Sequence, residues 1–331
     1  MAQKTIEVIL DGDLRYDTSV AWGLAQLSSE LEIRAITTVA GAYSSAQVTE
    51  YAEKLAKIYH ITAPLAQGGS QPLLAKLIVD KDAENTGLES LAAASKVRAD
   101  AASMSSFSND EQQSPNLSPL SAVTLMAETL KKAKKPMTVI ATGPLTNIAT
   151  LLLIYPELKS QIEQFVILGG ALKRNNATAA AEYNFYEDYE AAALVFSAQI
   201  PIIWLPIDIK DQSTLTAEEL KSFQQLKSPL QPIFDFYADK LALPASCALS
   251  VLLRPEIFQA RLAEVEIETA AKYCLGNSIA CFSAEDEECT LAELSLDKLK
   301  IARKENEVRT VLAVERTELV ALLRHICEAN S

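Results

Sequence analysis

The sequence predicts an α/β protein built on an open mixed sheet, mainly parallel, with helices on both sides. Three observations predict it. Strand-like and helix-like stretches alternate along most of the chain. The strand-like runs are short and apolar, as in strands covered on both faces. The residues that carry chemistry (Asp11 to Asp17, Thr142-Gly143, Gly169-Gly170 and Asp208) fall just past the carboxyl ends of those runs. That edge is where open α/β sheets bind ligands.

The elements follow in order. "TIEVIL" over 5–10 reads as a strand, and 18–28 as a helix. "EIRAITTVAG" is a second strand, followed by the amphipathic "AQVTEYAEKLAKIY" and then by "PLAQGG", a short strand and turn. "MTVIATG" is a strand and "LTNIATLLLIY" a helix; "QFVILGG", "DYEAAALVFSA" and "IPIIWLPID" repeat the alternation. The pattern then turns helical in "TAEELKSFQQL" and "QPIFDFYADKLAL", returns to strands in "AEVEIETA", "NSIACF" and "VRTVLAVE", and closes on a helix. The late strands are expected to extend or flank the first sheet, giving one domain over 1–331. Residues 92–118 are small, polar and proline-punctuated, and read as a flexible loop or an insertion.

Composition excludes some functions. The chain has 331 residues, with 30 Lys and Arg against 43 Asp and Glu, a net charge of −13. Nucleic acid would be repelled over most of such a surface. No apolar run is long enough to span a membrane, and Glu7 and Asp11 break the apolar start that a signal peptide needs. A cytoplasmic location is expected. The five cysteines show no metal-type spacing and are expected to be reduced and mostly buried. The two histidines, His60 and His325, lie at the ends of helix-like stretches without a patterned partner. Trp22 and Trp204 are expected in the core.

The stretch "ILDGDLRYDT" places Asp11, Asp13 and Asp17 within seven residues past a strand. Helix capping accounts for one such acid. A phosphoryl-transfer reading, on a resemblance to the haloacid dehalogenase-type signature, needs a downstream acidic pair for which "PIDIKD" is a poor substitute. The remaining reading is a hard cation, which takes several oxygen ligands. Here the rest of the chain weighs in. "DGDLRYDT" resembles the nucleoside hydrolase signature D-x-D-P-G-x-D-D. "AITTVAGAYSSAQVTEYA", "TVIATGPLTNIATLL", "FVILGGALKRNNATAAAEYNFYEDYEAAALVF" and "SCALSVLLRPEIF" resemble later segments of that family in the same order.

The resemblance implies a nucleoside hydrolase-type fold, a homodimer or homotetramer, and hydrolysis of the N-glycosidic bond of a ribonucleoside to base and ribose. A calcium ion would hold the ribose hydroxyls and a water, and a nearby carboxylate would take the water's proton. By position, Asp13 is a calcium ligand, Asp11 supports the site and Asp17 is the general base. Thr142 offers a backbone oxygen to the metal. Asn176, Glu182 and Asn184 contact the ribose, and Leu168 stands where the family has a methionine under the sugar.

Several positions depart from the family. Thr18 replaces a carboxylate ligand, Leu14-Arg15 replaces Pro-Gly, and Ala42 replaces an asparagine. The late His-Asp pair falls on Pro244-Ala245, and "DAENTGLES" holds no counterpart of the upstream histidine motif. One of three carboxylate ligands is kept, so calcium binding is expected to be weak or absent, with Arg15 replacing part of the lost charge. The ancestral reaction is then expected to be lost or strongly attenuated. Two alternatives stay open: a non-catalytic ribose- or nucleoside-binding protein or partner subunit, and a hydrolase of another sugar-linked substrate with Asp17 as base. Tyr183 and Tyr186 flank the ribose wall and are placed to face a base.

Overall fold

The computed structural model describes residues 5–74, 116–237, 239–283, 287–295 and 307–329. Its centre is a sheet whose strands in chain order are β1 (Ile6–Gly12), β2 (Leu31–Thr38), β3 (Leu65–Ala66), β4 (Met137–Ala141), β5 (Ile162–Leu168) and β6 (Ile202–Leu205). A small pair, β7 (Thr214–Leu215) and β8 (Leu241–Ala242), lies outside it. The sheet resumes with β9 (Phe258–Ile267), β10 (Ser278–Phe282), β11 (Cys289–Thr290) and β12 (Glu307–Val314). The spatial order is β10-β9-β12-β6-β5-β4-β1-β2-β3, with β11 paired to β9. From β12 to β3 every pairing is parallel, while β9 runs antiparallel to β10, β11 and β12. The late strands thus extend the first sheet, as the sequence predicts.

The central strands read as unbroken apolar runs because both faces are covered. On one face β1, β5 and β6 send Val8, Leu10, Val166 and Leu205 into a cluster with Trp22 of α1 (Tyr16–Leu27) and Leu55 of α2 (Ser45–Ile58). On the other, Ile9, Val139 and Phe165 meet Met126 of α3 (Ala122–Lys132) and Ile148 of α4 (Thr146–Ile154). The remaining α-helices among the described residues are α5 (Tyr183–Glu187), α6 (Tyr189–Phe196), α7 (Ala217–Gln224), α8 (Gln231–Phe236), α9 (Pro244–Leu253) and α10 (Arg316–Glu328). Trp22 and Trp204 are both in the core.

One expectation changes. The helix expected over 231–243 stops at Phe236: Leu241 instead pairs with Leu215, and Leu243 N–H donates to Ser213 O (3.1 Å). Helix α3 follows the polar stretch without having been marked in the sequence; Ser121 caps it by accepting from Thr124 N–H. The loop expected over 92–118 lies outside the described residues as far as 115. Its last three residues are pinned beside β3, where Leu65 N–H donates to Asn116 O and Ser118 N–H to Leu65 O.

One buried acid ties distant segments together. Asp188, between α5 and α6, accepts from Thr146 Oγ1 (2.5 Å), Leu73 N–H (3.0 Å) and Ala191 N–H (3.1 Å). It therefore joins the start of α4, the segment after β3 and the first turn of α6.

Candidate active site

The crevice lies at the carboxyl ends of β1, β2, β4 and β5, where the parallel strands deliver their following loops. The loop after β1 carries Asp11, Asp13, Arg15, Asp17 and Thr18. Asp11 and Asp13 are fully buried, Asp17 and Thr18 nearly so. Asp11 is tied into the structure through one oxygen, while its buried Oδ2 has no hydrogen-bond partner. Its Oδ1 accepts from Thr37 Oγ1 (2.6 Å) and Asn147 Nδ2 (2.7 Å), and burial pushes its carboxyl up to about 7 against those bonds. Asp13 lies against β2's loop so closely that a Cβ on Gly41 would sit 2.5 Å from its Oδ2. That oxygen accepts from Arg15 Nε at 3.2 Å, while Asp13 Oδ1, also buried, has no hydrogen-bond partner. Burial raises the Asp13 carboxyl and the Arg15 charge opposes the rise.

Arg15 does not cap α1 with its side chain, although it stands at the N-cap position. Its guanidinium lies over the Tyr183 ring, 4.4 Å from the centroid, and its side chain is 28% exposed. Burial pulls its ionisation down, but the charges of Asp13, Asp17 and Glu182 outweigh that and hold it protonated. Asp17 Oδ2 accepts from Ala245 N–H at 3.4 Å, at the start of α9. Burial raises its carboxyl, with Arg15 opposing.

The opposite wall comes from the loop after β5. Glu182 caps α5: its Oε2 accepts from Gly170 N–H (2.8 Å), Asn184 N–H (2.9 Å) and Phe185 N–H (3.4 Å). The turn needs its glycines, since Gly170 has φ 65° and any Cβ there would strike Phe185. Asn184 is buried and donates through Nδ2 to Leu168 O (3.0 Å) and Thr142 O (3.5 Å), while its Oδ1 has no partner. Asn184 thus joins Leu168 and Thr142, and Glu182 joins Gly170, at the strand ends that also carry Asp13 and Arg15. Asn176 stands apart: it is exposed, and its Oδ1 accepts from Tyr183 N–H (2.8 Å). Asp208 is outside the group, accepting from the backbone of Leu172 and Lys173.

A family profile described as inosine-uridine preferring nucleoside hydrolase matches residues 8–321. The chain belongs to that family. The pyrimidine-specific ribonucleoside hydrolase RihA of Salmonella choleraesuis is 32% identical over 291 residues, 83% of this chain and 88% of that one. The plant nucleoside hydrolase PpNRh1 superposes with a TM-score of 0.75 at 22% identity, covering 98% of this chain and 99% of that one. An inosine-guanosine nucleoside hydrolase superposes with a TM-score of 0.77 at 21% identity, covering the same shares. These two solved structures share the nucleoside hydrolase fold.

The residues at the nucleoside hydrolase calcium position do not fit the ion. Asp13 is the one carboxylate kept, and a guanidinium already lies on its Oδ2. Thr18 offers a neutral hydroxyl. The start of α9, where the family's late acid falls on Ala245, reaches Asp17 with a backbone amide and brings no carboxylate. The Thr142 carbonyl is engaged by Asn184. Among the described residues, no cluster of three His, Cys, Asp or Glu side chains could hold a metal.

Sequence reasoning overlooked Asn147 and read Tyr183 as facing a base, without its contact to Arg15. Asn147 binds Asp11 and Thr38 O through Nδ2 and takes Gly69 N–H on Oδ1 (2.8 Å), fixing three loops around the acidic turn. Its signal was the T-N pair of "GPLTNIA". Tyr183 covers Arg15, a contact across 168 residues of chain that no local pattern announces. Tyr186, by contrast, is 40% exposed. His60 and His325 are exposed and take no part.

Proposed function

We propose that this nucleoside hydrolase relative binds the ribose of a ribonucleoside in the crevice without calcium, and that its hydrolysis of the N-glycosidic bond is lost or strongly attenuated. The carrying observation is the 3.2 Å contact between Arg15 Nε and Asp13 Oδ2, at the carboxylate that the family uses for its ion. The sugar wall of Glu182, Asn184 and Leu168 stays assembled beside it, which supports sugar binding.

The chemistry follows from the groups present. Asp17 is the acceptor placed to take a proton from water, and burial raises its carboxyl toward the range where a base works. Without a metal ion to coordinate that water and lower its pKa, several kcal/mol of activation are forfeited, about a thousandfold or more in rate. Glu182 has one oxygen committed to three backbone amides, which fixes its carboxylate for a sugar hydroxyl.

The test is turnover and binding measured together. Uridine and inosine are expected to bind the purified chain. Their hydrolysis is expected at least about a thousandfold below that of a calcium-bearing relative, with Asp17→Ala removing what remains. Calorimetric titration with calcium should show no stoichiometric heat. Full turnover together with one tightly bound calcium per chain would overturn this reading.

A further inference from the structure

The misfit of calcium leaves a question about what balances the acids. Asp13 and Glu182 are nearly or fully buried, and Asp17 is close behind. The one cation among the site residues is Arg15. Its Nε is used by Asp13, and its two terminal amino groups make no hydrogen bond with any described residue. The same strand-end loops also hold buried acceptors without partners, among them Asp13 Oδ1 and Asn184 Oδ1. A hydroxyl both accepts and donates. A pair of neighbouring hydroxyls is therefore the group that satisfies a guanidinium and two orphan oxygens at once.

We propose that Arg15 takes the place of the ion as a covalently attached cation and binds the vicinal diol of the ribose directly, with Asp13 Oδ1 and Asn184 Oδ1 accepting from the same hydroxyls. The Tyr183 ring holds the guanidinium in plane, which a planar, delocalised cation permits and an ammonium does not. The ligand class is a sugar with free 2′ and 3′ hydroxyls. This rests on the ribose-binding reading above and deepens it.

Calorimetry with uridine and inosine, and with their 2′-deoxy analogues, tests the proposal on the whole chain in excess EDTA. Ribonucleosides should bind without added metal, and the deoxy analogues about ten- to a hundredfold more weakly. Arg15→Met should lower ribonucleoside affinity by a similar factor and bring the ribo-to-deoxy ratio close to one. Loss of a merely structural arginine would weaken both ligands equally and leave the ratio unchanged. Arg15→Lys, which keeps the charge and guards against misfolding of the Met variant, should recover only part of the affinity. Guanidinium ion added to Arg15→Ala should restore ribonucleoside binding.

Unchanged affinity and ratio in Arg15→Met, or binding that requires calcium in the wild type, overturns the role of Arg15 and leaves sugar binding standing. Failure of the wild type to bind any ribonucleoside, with or without calcium, overturns both.

Discussion

Leu14 carries the strain of the acidic turn. Where the family has Pro-Gly, a positive φ is expected at the position of the glycine, now Arg15, yet Arg15 is extended at φ −80° and ψ 173°. The left-handed residue is Leu14, at φ 47°, and it is 1% exposed in the core beside α1. Two effects oppose each other there. A left-handed non-glycine residue costs about 1–2 kcal/mol, whereas deleting a buried leucine costs about 2–5 kcal/mol. Burial wins, so Leu14→Gly is expected to destabilise the chain by about 1–4 kcal/mol in urea unfolding. A stabilised variant would show that strain dominates. Asp11, Asp13 and Asp17 were legible in the sequence because three acids past a strand need compensation. The Tyr183 ring and the Asn147 amide were not, because their roles exist only once the strand ends are side by side.

The helices that follow the site are joined by a charge pair. Glu219 in the first turn of α7 receives both terminal amino groups of Arg316, the first residue of α10, and also caps its own helix through Thr216. The Arg316 guanidinium holds the Glu219 carboxyl down at about 2. A depressed carboxyl stabilises the fold above its unfolded value of 4.5, and that contribution is lost as pH falls through about 2. The Arg316 and Glu219 side chains are 35% and 26% exposed, so screening limits the contribution to about 1 kcal/mol. Arg316→Ala should therefore lower unfolding free energy by that amount at neutral pH, with the gap to wild type closing toward pH 2 in acid titrations. Elements were mostly legible: the parallel strands announced themselves as apolar runs between turn residues. The failure at 237–243 has a local cause. Leu241 and Leu243 fit either a helix face or an alternating strand, and the ladder to Leu215 decides between them only in three dimensions.

At the scale of the molecule, the departures from the family at Arg15, Thr18 and Ala245 fall on one edge of the sheet although they lie far apart in the sequence. Thr18 and Arg15 stand at the start of α1, and Ala245 at the start of α9 meets Asp17 across 228 residues. That convergence makes the proposed loss of the calcium cage reversible by design. Arg15→Gly combined with Thr18→Asp and Ala245→Asp should give a chain that takes up calcium in a calorimetric titration, and failure to do so would place the missing ligand elsewhere. The other long-range device is Asp188, whose single carboxylate accepts from the amide of Leu73, 115 residues away, from that of Ala191, and from the hydroxyl that opens α4. Its consequence is for solvent exchange. The Leu73 and Ala191 amides share one protecting oxygen pair, so deuterium should enter both at a common rate, and Asp188→Ala should release both together while the β4 amides stay protected.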